Sequence, residues 1–307
     1  MTDETFIVSV PNQRLANALG DVEGVTVLVW DLQSDPPRAG IDLVVPSYLD
    51  GPAPLARLAG VRTQLVQSQS IGYDQVATYL PPGHVFANAA SVHEASTAEL
   101  ALALILAAQR GLADFVRAST EGRWAPAWYP SLADRTVVLV GYGGVGAAIE
   151  ARLAPFEVTM ERVARRARTD ERGAIHGIEE LPRLLASADV VVVAVPLTAS
   201  TTHLVNEAFL AAMPDDALLV NVARGRVADT EAILRHARTG RLRFALDVTD
   251  PEPLPTGHEL LTLPNVLITP HVGGATNAMA PRMVALVRAQ IERLRRGDEP
   301  INVVLRT

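Results

Sequence analysis

Short apolar runs separated by amphipathic stretches set the pattern of the first third of the chain. An apolar run of about four to eight residues bounded by turn residues is typical of a buried strand, whereas apolar spacing of three or four residues indicates a helix. On this basis we expect strands at residues 5–10, 25–30, 41–45, 63–67 and 84–87. Short helices are expected between them, at residues 12–19, 54–58 and 74–80. The alternation predicts an open α/β unit.

A second, longer series follows a stretch rich in alanine and leucine. Residues 94–117 are apolar on most faces and predict one long helix, buried between domains or subunits, before an irregular segment at 119–133. Further strands are expected at residues 136–140, 158–163, 189–194, 217–220, 243–247 and 266–269. A final helix at 281–296 precedes 302–305 (NVVL), which we expect as a returning strand or a tether to the first unit. Nearly continuous apolar strands separated by helices are typical of parallel sheets, so the fold class is α/β with doubly wound sheets.

Polar side chains with complementary chemistry follow three of these strands. Arg224 in NVARG, Glu252 in DVTDPEP and His271 in TPHVGG each come just after an apolar run. Because ligands of such sheets bind at the carboxyl ends of the strands, a cation, a carboxylate and an imidazole are expected in one crevice. Such a set can hold a substrate carboxylate and move a proton, although each residue alone is more often a surface or structural one.

A glycine-rich turn joins the strand expected at residues 136–140 to a helix. The turn is GYGGVG at residues 141–146. In a dinucleotide-binding turn, Gly141 would permit the tight turn, Gly143 would let the backbone approach a pyrophosphate, and Gly146 would allow close helix–strand packing. The amides at the start of the following helix favour phosphate charge.

The residues after the second strand of this series bear on the choice of cofactor. A dinucleotide fold expects an acidic residue at that strand end, where it binds ribose hydroxyls. Glu161 lies within the expected strand, and Ala164 stands in the acid's place, followed by Arg165 and Arg166. We therefore favour NADP over NAD. Two alternatives stay open: an earlier strand end would bring Glu161 to the ribose and favour NAD, and the arginines could form a solvated face without bearing on the cofactor.

Composition narrows the function further. A length of 307 residues suggests about two domains. The chain has no cysteine and no lysine, which removes disulfides, thiolate chemistry, lysine Schiff bases and a lysine-containing phosphate loop. The net charge of −7 argues against nucleic acid as a partner. Without a long apolar span, a basic leader region or histidines at metal-ligand spacing, we expect a cytoplasmic protein with no membrane partner and no metal.

Taken together, the motifs resemble those of the D-isomer-specific 2-hydroxyacid dehydrogenase family, which includes D-glycerate, glyoxylate/hydroxypyruvate and phosphoglycerate dehydrogenases. The resemblance covers almost the whole chain: IGYD at 71–74, TAE at 97–99, GYGGVG at 141–146, VPLT at 195–198, NVARG at 221–225, DVTDPEP at 247–253 and TPHVGG at 269–274. It implies hydride transfer between NAD(P)H and a small 2-oxo or D-2-hydroxy acid of the glyoxylate or hydroxypyruvate type. It also implies a homodimer, and a Rossmann cofactor domain at 92–279 inserted in a flavodoxin-like substrate domain at 1–91 and 280–307.

The resemblance implies roles for individual residues as well. Arg224 would hold the substrate carboxylate and polarise the 2-oxo group, His271 would exchange a proton with the substrate, and Glu252 would bond the other ring nitrogen. Backbone amides of Ile71 and Gly72 would bind the same carboxylate. Cofactor contacts would come from the glycine-rich turn and the later strand ends: Gly141, Gly143, Gly144, Val145, Gly146, Arg165, Pro196 along the nicotinamide ring, Val222, Ala223, Asp247 at the carboxamide, and Gly273.

Alternatives remain at this point. The fold could serve a dinucleotide-sensing interaction protein, or an enzyme acting on formate or an inorganic oxyanion. Trp124 and Trp128 could touch a pocket mouth or a partner subunit, or pack in the core.

Overall fold

The computed structural model describes residues 5–307, and the chain divides into two compact units. One unit runs as far as His93 and includes Thr276–Thr307, and the other is Glu94–Ala275. The cofactor domain expected at 92–279 is slightly longer than the second unit. His93 lies with the first unit, where its Nε2 is 2.6 Å from the carbonyl oxygen of Gln69. Within residues 5–307 no helix is both long and apolar enough to cross a bilayer.

The secondary structure alternates between strands and helices along both units. The strands are β1 (Phe6–Val10), β2 (Val25–Val29), β3 (Leu43–Val44), β4 (Leu65–Gln67), β5 (Val85–Ala87), β6 (Thr136–Val140), β7 (Thr159–Val163), β8 (Arg168–Asp170), β9 (Gly173–Ile175), β10 (Val190–Val193), β11 (Leu218–Asn221), β12 (Arg243–Leu246), β13 (Val266–Ile268) and β14 (Val303–Arg306). The α-helices are α1 (Gln13–Leu19), α2 (Val76–Tyr79), α3 (Glu94–Gln109), α4 (Leu112–Thr120), α5 (Gly144–Leu153), α6 (Leu181–Leu185), α7 (Glu207–Ala212), α8 (Thr230–Arg238) and α9 (Met279–Arg296). Short 3-10 helices lie at Ala53–Leu58, Ala154–Phe156, Ile178–Glu180, Gly225–Val227 and Glu259–Leu261.

The first unit is a doubly wound sheet with the strand order β2-β1-β3-β4-β5-β14. Its first five strands are parallel and follow the flavodoxin-like order. β14 pairs antiparallel with β5, so the C-terminal segment returns as a strand, the first of the two expected alternatives. The apolar face of α9 packs into the core of this unit through Met283, Leu286, Val287 and Ile291.

The second unit is a parallel sheet with the strand order β7-β6-β10-β11-β12-β13. The order reverses between β6 and β10, which is where open α/β sheets bind ligands. The hairpin β8–β9 was not expected from the sequence. A parallel bridge between Val163 and His176 places it beside β7, in the position of the third strand of a Rossmann sheet.

The prediction of a single long helix at 94–117 is wrong, because α3 ends at Gln109 and a separate helix, α4, begins at Leu112. Gly111 adopts a left-handed φ of 60° at the break. A Cβ atom there would lie 2.2 Å from the ring of Tyr129, which packs against this glycine. The Tyr129 hydroxyl also donates a 2.7 Å hydrogen bond to Asp114 on α4. The later segment therefore fixes the helix break.

Candidate active site

The turn after β11 carries Arg224, and a buried asparagine shapes it. Asn221 is 1% exposed. Its Oδ1 accepts a 3.0 Å bond from the amide of Ala223, and its Nδ2 donates a 3.2 Å bond to the carbonyl of Arg224. Arg224 is half-buried, and its Nη1 donates to the carbonyl of Ala223 at 2.8 Å. The guanidinium is thus held at the carboxyl end of the sheet.

The turns after β11 and β12 pack together through a glycine. A Cβ atom on Gly225 would lie 1.8 Å from the carbonyl oxygen of Thr249. The hydroxyl of Thr230 donates a 2.5 Å bond to the carbonyl of Asp250 nearby. This packing joins the Arg224 turn to the segment that carries Glu252.

Glu252 and His271 form a short ion pair at the ends of β12 and β13. The Nδ1 atom of His271 lies 2.5 Å from Oε1 of Glu252, and the two side chains are 43% and 40% exposed. The bond to Glu252 raises the pKa of His271 against the opposing effect of burial. Burial would raise the pKa of Glu252, but the hydrogen bond and charge of His271, a backbone hydrogen bond at Thr249 and the charge of Arg224 together lower it. The charge of Arg224 acts on both groups: it favours the Glu252 carboxylate and partly opposes the rise in the pKa of His271, so the three predicted side chains lie within electrostatic reach of one another.

Asp247 organises the loop that carries His271. Its carboxylate is buried and accepts bonds from the hydroxyl of Thr269 at 2.7 Å and from the amides of Val272 and Gly273, each at 2.9 Å. The carbonyl of Asp247 accepts the His271 amide at 2.7 Å. His271 has a left-handed φ of 52°, which this clamp maintains. Sequence reasoning missed this role, and the expected contact of Asp247 with a nicotinamide carboxamide stays a prediction.

The glycine-rich turn has the shape that a dinucleotide requires. Gly141 has φ 106°, and a Cβ atom there would lie 2.6 Å from the carbonyl oxygen of Ala194. A Cβ atom on Gly146 would lie 2.2 Å from the carbonyl oxygen of Gly141. Next to Gly143, by contrast, the corresponding space is open, and α5 starts at Gly144. Exposed backbone at a helix start, with free space beside it, fits a pyrophosphate.

The end of β7 lies where the sequence placed it. The strand ends at Val163, whose carbonyl accepts the Gly141 amide at 2.9 Å, so the following residues start beside the glycine-rich turn. Glu161 lies inside the strand, and its Oε2 is 3.0 Å from Nε2 of His176. The open alternative, in which Glu161 ends the strand, is therefore excluded. Arg165 and Arg166 are exposed, and neither forms an ion pair within residues 5–307.

The remaining predicted residues divide between the two units. Val222 and Ala223 are buried within the turn that carries Arg224, and Pro196 is exposed after β10. Ile71 and Gly72 belong to the first unit, in the loop after β4. The carbonyl of Ile71 accepts a 2.9 Å bond from Asn88, which orders that loop.

The shaping residues Asn221, Gly225 and Thr269 were also missed from the sequence. Asparagine and glycine just after a strand do signal a turn, and that signal was available. Gly225 and Thr269 contact residues that are distant in sequence, so no local sequence pattern indicates their role.

Comparison with known proteins settles the family. Residues 102–273 match the sequence profile of the D-isomer specific 2-hydroxyacid dehydrogenase, NAD binding domain. The chain belongs to the D-isomer-specific 2-hydroxyacid dehydrogenase family. A glyoxylate reductase of Korarchaeum cryptofilum is 33% identical to this dehydrogenase over 257 residues, covering 80% of this chain and 77% of that protein. The human glyoxylate reductase/hydroxypyruvate reductase is 34% identical over 251 residues, covering 78% and 76%.

Solved structures agree with this result. A D-isomer specific 2-hydroxyacid dehydrogenase from Xanthobacter autotrophicus Py2, in complex with NADPH and MES, superposes with a TM-score of 0.83. It is 28% identical and covers 98% of each chain. The fold class, the enzyme class and the nicotinamide cofactor predicted from the sequence are confirmed. This dehydrogenase transfers a hydride between NAD(P)H and a 2-oxo acid.

Proposed function

We propose that the enzyme reduces a small 2-oxo acid of the glyoxylate or hydroxypyruvate class. The observation that carries this proposal is the 2.5 Å pair of His271 and Glu252 within electrostatic reach of Arg224. These groups can bind one carboxylate and protonate one adjacent oxygen, and the reduction of a 2-oxo acid requires both. The names of the glyoxylate reductases that it resembles support the same substrate class.

Each residue of the site has a part in the reaction. Arg224 binds the substrate carboxylate with two N–H donors and polarises the neighbouring 2-oxo group. Glu252 occupies Nδ1 of His271 and favours the imidazolium, which leaves Nε2–H to donate a proton to the oxygen at C2. The glycine-rich turn would hold the pyrophosphate of a bound dinucleotide, whose nicotinamide would supply the hydride to C2. Asp247 keeps the His271 loop in place, and the Ile71 and Gly72 amides are proposed to bind the carboxylate as well.

For the cofactor, we propose a preference for NADP. Ala164 offers no carboxylate to bind a ribose diol or to repel a 2′-phosphate, and Glu161 is committed to His176. Arg165 and Arg166 are exposed beside the glycine-rich turn without an acidic partner in the described chain, so they can neutralise a phosphate.

The preference has a direct test. Arg165→Ala should raise KM for NADPH about tenfold or more while leaving KM for NADH nearly unchanged, as expected for the loss of a charge-assisted contact. Ala164→Asp should reverse the preference. Arg183→Ala, which removes another exposed arginine, serves as the control. Tighter binding of NADH than NADPH by the wild type would contradict the proposal.

The substrate class is tested with a panel of 2-oxo acids. Glyoxylate, hydroxypyruvate, pyruvate and oxaloacetate would each be assayed with NADH and with NADPH by absorbance of the reduced nicotinamide. Turnover with glyoxylate and hydroxypyruvate is expected to exceed turnover with pyruvate and oxaloacetate at least tenfold. Tight cofactor binding with no turnover on any acid would favour the dinucleotide-sensing alternative and overturn the enzymatic proposal.

The assembly and location are proposals too. Apolar side chains are exposed on α4 and in the segment after it, where Trp124 and Trp128 are 97% and 102% exposed. Core packing of these tryptophans is thereby excluded. A second copy of the chain is the proposed partner, because large exposed apolar patches mark interaction surfaces and dimers are the commonest assemblies. The expected cytoplasmic location stays a prediction, which cell fractionation would test.

A further inference from the structure

A buried ionic cluster lies beside the glycine-rich turn, and its residues take no part in the proposed reaction. Glu150 on α5 and Arg162 on β7 are 7% and 5% exposed. Nη1 of Arg162 lies 3.6 Å from Oε1 of Glu150, and its guanidinium stands 5.4 Å from the ring centre of Tyr142. Charges removed from water contribute little net stability even when paired, so a buried pair of this kind is weak support for a purely stabilising role.

The cluster holds Tyr142, the second residue of the turn, at two points. Its hydroxyl donates a short hydrogen bond to Glu150, and its carbonyl accepts a 2.9 Å bond from Nη2 of Arg168. Burial and the contact with Glu150 raise the pKa of Tyr142, so the hydroxyl keeps its proton and remains the donor. Both the side chain and the backbone of this turn residue are therefore fixed from outside the turn.

The same cluster fastens the β8–β9 hairpin. Nη1 of Arg162 donates to Asp170 at 3.1 Å, and Nη2 donates to the carbonyl of Arg172 at 2.6 Å. Arg172 in turn reaches Oε2 of Glu150 at 2.9 Å. The loop at 164–167 thus runs between two held ends: β7, bonded to Gly141, and β8, fastened through this cluster. Arg168, at the far end of that loop, touches the glycine-rich turn directly.

We propose that Tyr142, Glu150 and Arg162 are positioning residues for the adenosine end of the dinucleotide. They hold the pyrophosphate-binding turn against the basic loop at 164–168. The backbone amides of the turn and the guanidinium groups of the loop are therefore correctly placed before the ligand binds. Ordering these parts in advance lowers the entropic cost of binding. The inference rests on the proposed dinucleotide site and extends it to residues that do not touch the cofactor.

The test separates adenosine-end binding from catalysis. Tyr142→Phe deletes the bond to Glu150 and keeps the ring under Arg162, and Arg162→Met removes the buried charge. Arg238→Met, at the end of α8, breaks an exposed pair with Glu259 and is the control. Calorimetry would measure Kd for adenosine 2′,5′-bisphosphate and for 5′-ADP, and fluorescence would measure Kd for NADPH. In parallel, kcat and the KM for glyoxylate would be determined at saturating cofactor.

Tyr142→Phe is expected to weaken all three ligands by a common factor of roughly five, as for one lost hydrogen bond, with kcat and the glyoxylate KM unchanged. Arg162→Met should act in the same direction more strongly, and Arg238→Met should change nothing. Unchanged Kd values in Tyr142→Phe, or a loss of kcat equal to the loss of binding, would overturn the inference even if Arg162→Met fails to fold. A wild type that binds 5′-ADP but not the bisphosphate would overturn the NADP preference alone, since the variants can still be compared on 5′-ADP.

Discussion

Arg224 is the residue on which substrate recognition depends most. Its guanidinium is half-buried and held by the turn at Asn221, so a carboxylate bound there would be partly desolvated. Arg224→Ala should lower kcat/KM by an amount equivalent to about 2–5 kcal/mol, because the substrate carboxylate loses its charge-assisted partner. Arg224→Lys should restore only part of this, since lysine lacks the planar fork. Steady-state kinetics with glyoxylate is the measurement, and near-wild-type kcat/KM in Arg224→Ala would remove it from the site.

The ion pair of His271 and Glu252 predicts a specific pH dependence. The imidazolium is the reducing form, and Glu252 raises the pKa of His271 above its ordinary 6.5. Glu252→Gln removes that carboxylate, so the pKa falls and the alkaline limb of reductive kcat/KM should move to lower pH. His271→Asn should lose roughly 10²–10⁴-fold in rate and show no such limb. An alkaline limb at the same pH in Glu252→Gln would show that the two residues do not titrate together.

The same pair stabilises the folded state, and the contributions of the two partners are lost in opposite pH directions. The raised pKa of His271 contributes stability that is present below pH 6.5 and is lost as the pH rises through the folded-state value. The lowered pKa of Glu252 contributes stability that is present above pH 4.5 and is lost as the pH falls through its folded-state value. The contribution is therefore largest between these limits, and partial exposure of both side chains keeps it small.

At the scale of elements, the active site depends on how closely two strand-end turns approach. Gly225→Ala would place a methyl group 1.8 Å from the carbonyl oxygen of Thr249, so the Arg224 turn and the Glu252 segment must separate. Because a displacement of about 1 Å can cost roughly 10²-fold in rate, kcat/KM should fall by that order with cofactor binding retained. Gly40→Ala, where the nearest atom would be Arg62 Nη2 at 3.6 Å, is the control. Full activity in Gly225→Ala would show that this contact does not set the site's geometry.

Elements that depend on interactions between residues close in sequence were predicted, whereas those that depend on distant residues were not. Strands with apolar periodicity and the end of β7 at Val163 were predicted correctly, because their signals are local. The β8–β9 hairpin was missed because its arms are only three residues long, β8 is polar throughout, and the hairpin depends on Arg162 and His176 for attachment. The break at Gly111 was missed because Tyr129, far along the chain, enforces it. Arg224 was likewise predictable from its position just after a strand, whereas the long-range contact of Gly225 with Thr249 that holds its turn was not.

At the scale of the whole molecule, the exposed apolar surface predicts self-association. Val116 on α4 is 62% exposed, and Trp124 and Trp128 in the following segment are almost fully exposed, whereas the third tryptophan, Trp30, is 3% exposed in the first unit. The wild type should sediment as a dimer at micromolar concentration, and Val116→Glu should be a monomer because a carboxylate cannot be buried unpaired at the interface. Tryptophan emission should shift to longer wavelength in that variant, since Trp30 stays buried in either state.

The control for this prediction is Leu49→Glu, which places the same charge at an exposed apolar position of the first unit. It should leave the sedimentation coefficient and the emission spectrum unchanged. A monomeric wild type would contradict the dimer prediction, and a Val116→Glu protein that remains dimeric would place the interface away from α4. The exposed tryptophans would then need another partner, because side chains that large and that apolar are otherwise unfavourable in water.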